Sequence, residues 1–146
     1  MRTYKGKITS LPENGIFCFG ANVEGRHGLG AAKVAREKFG AVYGQGFGLQ
    51  GRSFGIVTKD LRKEKHPSVS KLFIVSQILA LYLFAEQNKH LDFYVAYSGD
   101  GNNLNGFTSQ EMAEMFFRLD SLSFNIKIPD NIIFEEKFTQ LKSPAN

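Results

Sequence analysis

Apolar and polar positions along this chain come in blocks that change period. Gly15-Ile-Phe-Cys-Phe-Gly20 is a short apolar run closed by glycine at both ends, which predicts a strand buried on both faces. The polar, glycine-bearing stretch Asn22 to Gly30 predicts a loop. Ala31, Val34, Ala35 and Phe39 then recur at helical spacing, and Gly40 is placed to end that helix in the left-handed conformation. Gly44 to Gly51 is dense in glycine, Phe54-Gly-Ile-Val57 predicts a second short strand, and Thr58 to Pro67 reads as a charged loop. Ser68 stands where it would cap a long helix running to about Asn88, apolar over so broad a face that it is expected to be well buried. Asp92 to Tyr97 predicts a strand and Ser98 to Phe107 a loop. Thr108-Ser-Gln-Glu111 has the spacing of a capping box for a helix whose buried stripe is Met112, Met115, Phe116 and Leu119. The last strand is expected within Asn125 to Phe134, a short helix over Glu135 to Leu141, and a frayed tail over Lys142 to Asn146.

Strands that alternate with helices argue for an α/β fold: a mixed, mostly parallel sheet with helices on both faces, in one three-layer α/β/α domain. The 146 residues fit a single domain spanning 1–146 with its core over about 15–134, and there is no internal repeat or linker. The longest apolar-rich run, Leu72 to Ala85, is short of the roughly 20 residues a membrane helix needs, so no membrane partner is expected. The first ten residues are polar and lack the apolar stretch of a signal peptide. A single cysteine, Cys18, excludes an intramolecular disulfide and any zinc-type spacing, so no metal or cofactor site is expected; a reducing, cytoplasmic setting is the natural reading, with Cys18 in the core.

Charge adds a modest bias. The net charge is +4 with a pI near 9.2, part of it concentrated at Lys59, Arg62, Lys63 and Lys65 with Asp60 and Glu64 interleaved. Such a mixture suits a solvated loop, or attraction to an anionic ligand or nucleic acid. There is no basic stripe with interleaved aromatics, so nucleic-acid binding ranks last.

Two loops carry the candidate chemistry. The first, Phe19-Gly20-Ala21-Asn22-Val-Glu-Gly25-Arg26-His27-Gly28-Leu29-Gly30-Ala-Ala32, leaves a strand and opens a helix. Its glycines let backbone approach a ligand closely, and the helix N-terminus directs free N–H groups at an anion. Read blandly, it is a tight turn that needs glycine for geometry alone. The second loop, Ser98-Gly99-Asp100-Gly101-Asn102-Asn103-Leu-Asn-Gly106-Phe107, also follows a strand and precedes a capped helix. Two such loops on adjacent strand ends can close around a diphosphate, and the bland alternative is a polar loop without a ligand. Within them, Arg26 and His27 are either phosphate partners or, respectively, a solvated side chain and a pocket filler; Phe107 either stacks on a base or joins the core; His66 and His90 read as inert surface residues. Gly46-Phe-Gly-Leu-Gln-Gly51 satisfies G-x-G-x-x-G, but its glycines precede a strand where a dinucleotide fingerprint must follow one and open a helix, so the match is set aside.

The stretch G-A-N-V-E-G-R-H-G-L-G-A-A followed by K-F-G-A-V-Y-G-Q-G-F-G-L-Q-G-R-S-F-G-I-V-T-K, together with Y-S-G-D-G-N-N-L-N-G-F and the helix E-M-A-E-M-F, resembles a family of small bacterial and phage proteins related to macrodomains. The resemblance covers roughly Gly15 to Phe134. It implies ADP-ribose or a related nucleotide gripped at its diphosphate by Gly25 to Gly30 and Gly99 to Gly106, with Asn22 near the distal ribose. Asn22 is equally suited to an Asx-type turn. Ile56-Val-Thr-Lys-Asp60 is similar to the segment of those macrodomains that remove ADP-ribose from modified glutamate or DNA bases, which implies Lys59 as the attacking group. The carboxylate that assists there falls near Asn103 in this chain, and Asp100 is the nearest acid; the family also usually has G-C-G where this chain has Gly99-Asp-Gly101. Bottom-up, a lysine and a neighbouring carboxylate can share nucleophile and proton-transfer work. The rival reading is a non-catalytic reader of nucleotides or of ADP-ribosylated protein or nucleic acid.

Overall fold

The structure is a computed structural model, and it describes residues 1–118 and 127–141. Its strands are β1 (Thr3–Tyr4), β2 (Gly15–Asn22), β3 (Gly48–Gln50), β4 (Ser53–Lys59), β5 (Asp92–Val95) and β6 (Ile132–Glu135). Its helices are α1 (Gly30–Lys38), α2 (Lys71–Glu86), α3 (Ser109–Phe117) and α4 (Glu136–Thr139). The strands form one sheet in the order β1-β6-β5-β2-β4-β3, parallel throughout except for the β3–β4 hairpin. This is the expected α/β fold with a mixed, mostly parallel sheet. The described residues contain no helix long and apolar enough to cross a membrane.

Side-chain alternation in β2 divides the interior. Phe17, Phe19 and Ala21 face α1, where they pack with Ala32, Ala35 and Phe39. Ile16 and Cys18 face the other way, into a much larger cluster built from α2, α3, α4, β4, β5 and β6. Phe93, Phe116, Phe134 and Phe138 are completely buried there, each contributing about 1.5–3 kcal/mol of apolar burial. Cys18 is buried in this layer, and burial pushes its thiol pKa well up.

Local chemistry explains most element boundaries. Gly40 takes φ 73° just past α1. Thr108 and Glu111 form the complete capping box of α3. Gly48–Gln50 pairs back onto Ser53–Gly55, so the G-x-G-x-x-G stretch is a hairpin. Several expectations need correction. Ser70, whose side chain accepts from the Phe73 N–H, caps α2; the Ser68 hydroxyl accepts from the Asp60 N–H and meets His66 Nδ1. Thr58 and Lys59 belong to β4, not to the charged loop, and β5 ends at Val95. β1 was not anticipated, since two residues carry no period. The outer face of α2 is not buried: Leu72, Phe73 and Leu83 are 72%, 52% and 54% exposed. Leu119 and the tail from Lys142 lie outside the described residues.

Where β4 outruns β3, a side chain takes the place of a strand. Gln77 of α2 accepts from the Val57 N–H through Oε1 at 2.7 Å and donates from Nε2 to the Val57 carbonyl at 2.8 Å. Both groups of that buried peptide edge are thereby satisfied.

Candidate functional site

The chain leaves β2 toward β4 on one side and later leaves β5 toward β6 on the other, so the sheet changes direction between β2 and β5. Crevices outside the carboxyl ends of strands at such a point are where open α/β sheets bind ligands. A cleft of about 850 Å³ occupies this position. Its floor and walls come from Gly20, Ala21 and Asn22 of β2, Thr58 and Lys59 of β4, and Ala96, Tyr97 and Ser98 beyond β5.

The first loop is braced from within. Asn22 Oδ1 accepts from the Arg26 N–H and its Nδ2 donates to the Arg26 carbonyl, both at 2.8 Å, so this amide serves as a two-point clamp at the cleft edge. Gly25 has φ 70° and sits against the Gly44–Gln45 backbone, and the Gly44 N–H donates to the Gly25 carbonyl at 2.9 Å. Beyond it Arg26, Gly28, Leu29 and Gly30 reach the cleft. Leu29, at the N-cap of α1, offers no side-chain cap, which leaves the first-turn N–H groups of that helix available to a ligand.

The second loop is also self-braced. The Asn103 N–H and its side-chain Nδ2 both donate to the Phe107 carbonyl, Asn105 Oδ1 accepts from the Phe107 N–H, and Ser109 Oγ donates to the Asp100 carbonyl. Asn102, Asn103, Leu104 and Asn105 line the cleft. Leu104 arches to the opposite lip, where a Cβ on Gly30 would lie 3.3 Å from its Cδ1. The two loops therefore meet across the cleft.

Of the sequence-derived candidates, Gly20, Ala21, Asn22, Arg26, Gly28, Leu29, Gly30, Lys59, Ser98, Asn102 and Asn103 line this cleft. Gly25, His27, Gly99, Gly101, Gly106 and Phe107 do not. Gly99 packs on the Lys137 backbone, Gly106 (φ 88°) on the His66–Pro67 backbone, and Phe107 lies in the larger core. Asp100 is exposed and does not line the cleft; it lines an adjoining pocket of about 550 Å³ with Lys5 and Lys137, and the two pockets share Gly6, Lys7, Ser98 and Glu135.

Sequence reasoning missed Lys7, Lys33, Tyr97, Thr58, Asn105 and Glu135. Lys7 precedes β2 and carries no motif, Tyr97 reads as the end of a strand, and Thr58 as the start of the charged loop. The Tyr97 hydroxyl stands under Gly20, where a Cβ would come within 2.5 Å of it. Burial pushes its pKa up to about 12 against the pull of Thr58 and Asn105, so it remains a neutral phenol. Lys7, Arg26, Lys33 and Lys59 face the cleft against Glu37 and Glu135. The Glu135 carboxylate is already engaged by the Gly6, Lys137 and Phe138 N–H groups.

His27 is buried beneath the first loop, between the rings of Phe19 and Tyr43, with no partner at either ring nitrogen. Burial lowers its pKa, and the charge of Arg36 lowers it further. A folded-state pKa below the unfolded value makes the unfolded chain the better proton acceptor as pH falls. Its share of stability is thus complete above about pH 6.5 and declines below that toward the folded pKa. Thermal melts between about pH 8 and pH 5 should show this decline, and His27→Leu should flatten it. Parallel curves for the two proteins would exclude His27 as a source. Glu111 and Asp130, both held low by hydrogen bonds, and Asp60, held down to about 2 by Arg62, lose their contributions at more acid pH.

No family model matches this chain, and no curated protein matches it.

Proposed function

We propose that this protein binds ADP-ribose or a related nucleotide in the cleft between β2 and β5. The observation that carries the reading is the cleft's position at the direction change of the sheet, with two braced loops meeting across it and an uncapped helix N-terminus on one wall. Its volume suits a nucleotide-sized ligand. Four cationic side chains against two acidic ones favour an anion, and Leu29 and Leu104 offer apolar lips. The resemblance to macrodomain-related proteins supplies the ligand class. A reducing, cytoplasmic setting accords with the free, buried Cys18.

Asp100 lines only the adjoining pocket and not the cleft that Lys59 lines, and this supports a second reading, a non-catalytic reader of the nucleotide or of an ADP-ribosylated partner. Lys59, half-buried at the end of β4, is the group on which hydrolysis of an ADP-ribosyl linkage would rest.

Calorimetric titration with ADP-ribose, AMP and NAD tests the binding. Micromolar affinity for ADP-ribose alone is expected; no heat from any of the three removes the reading. A reader leaves ADP-ribosylated substrates intact, whereas release of free ADP-ribose that is lost in Lys59→Ala would establish the hydrolase.

A further inference from the structure

We propose that the His27 ring is a plug that holds the first loop against the cleft and that protonation releases, so that ligand binding weakens as the medium turns acid. The effect on ligand rests on the nucleotide reading above, whereas the release rests on the loop alone. From Arg26 to Gly30 the chain passes along the cleft edge, and Arg26, Gly28, Leu29 and Gly30 line it. Four of these five residues are exposed, and the one buried side chain is His27, which is 8% exposed. A Cβ on Gly28 would meet nothing within 4 Å, and Leu29 supplies no side-chain cap to α1. Beyond the Asn22 clamp on Arg26, the side chain that seats this loop is therefore His27.

The nature of that side chain points to a switch. The ring lies between Phe19 of β2, with centroids 5.9 Å apart, and Tyr43 beyond α1, at 6.5 Å. Among the described residues neither ring nitrogen has a hydrogen-bond partner. Leucine or phenylalanine would fill the space without leaving an N–H and a lone pair unmet. What imidazole adds is a charge that appears between about pH 8 and pH 5. The charged group that bears on it is Arg36 of α1, a cation whose guanidinium lies 5.3 Å from the Tyr43 ring centroid. With aromatic rings on two sides and a like charge nearby, an imidazolium is poorly housed here. Outside the cage the ring is hydrated and takes up a proton at about pH 6.5. Protonation and seating thus oppose one another. Once the ring leaves, no buried side chain holds the stretch that presents Gly28, Leu29 and Gly30 to the cleft.

Proton NMR of the three histidine rings in the full chain tests the release, with His66→Asn and His90→Asn giving the assignment. At neutral pH the His27 signals should be displaced by the ring currents of Phe19 and Tyr43. They should move to free-imidazole positions as the ring protonates, while signals from the sheet core stay in place. Calorimetry should show ADP-ribose affinity about fivefold weaker at about pH 5.5 than at about pH 7.5, and equal at the two in His27→Leu. Saturating ADP-ribose should shift the His27 titration to lower pH, because the coupling is reciprocal. A His27 that protonates inside its cage overturns the proposal. So does a wild type that binds ADP-ribose equally at both pH values, or a pH dependence that survives in His27→Leu. If ADP-ribose binds at neither pH, the nucleotide reading fails and the ring signals alone decide the release.

Discussion

Gln77→Leu is expected to lower the unfolding free energy by about 3 kcal/mol, although it exchanges a buried polar side chain for an apolar one of similar size. The expectation rests on what remains after the exchange. Val57 lies beyond the reach of β3, and the Gln77 amide satisfies its N–H and carbonyl together. Leucine fills the space but leaves two main-chain groups without partners in the interior, each at a cost of about 1–3 kcal/mol. Gln77→Glu should be no remedy, since it keeps the acceptor, loses the donor and brings a charge into a buried site. Chemical denaturation of the three proteins decides the matter. A Leu variant as stable as the wild type would mean that water or a shifted strand satisfies Val57.

The second large effect concerns two glycines three residues apart. Gly25→Ala should cost about 2 kcal/mol or more and reduce ADP-ribose affinity on the order of a hundredfold. Its φ of 70° disfavours any side chain, and the new Cβ would collide with the Gly44–Gln45 backbone, a contact that cannot swing aside. The loop must lift, carrying Arg26 and the start of α1 away from the cleft. Gly28→Ala should change stability by no more than about 0.5 kcal/mol, because its Cβ would meet open space. Paired denaturation and calorimetry on the two variants provide the check, and equal losses would show that glycine count matters more than the contact at Gly25.

How much of this was readable in advance varied with the range of the interaction involved. Runs such as Gly15–Gly20 and the capping box at Thr108 and Glu111 are governed by neighbours a few residues away, and they were legible. The cap of α2 was misplaced by two residues because Ser68 and Ser70 are equivalent in sequence and differ only in that Ser68 is claimed by Asp60 and His66. The loops were recognisable as loops, but which of their residues face the cleft was not. Gly25, Gly99 and Gly106 share composition with Gly28 and Gly30, and only the distant backbones they rest on separate anchoring positions from lining ones. Lys7 and Tyr97 enter the site through tertiary placement with no local signature. The exposed stripe of α2 was invisible for the opposite reason: its sequence promises burial that the single chain does not provide.

The two faces of the sheet are unequally furnished, and that asymmetry bears on how affinity should be interpreted. Among the described residues, one face carries α2, α3 and α4 with most of the buried aromatic side chains, while the other carries α1 over a small cluster around Phe17, Phe19 and Phe39. The first loop of the cleft runs directly into that thinner layer. If the cleft binds nucleotide as proposed, local opening of this loop competes with ligand, and the observed dissociation constant equals the intrinsic one divided by the fraction of molecules with α1 docked. Affinity in this fold is a joint property of cleft chemistry and of a population, so a substitution deep under α1, far from any ligand atom, can retune binding in either direction.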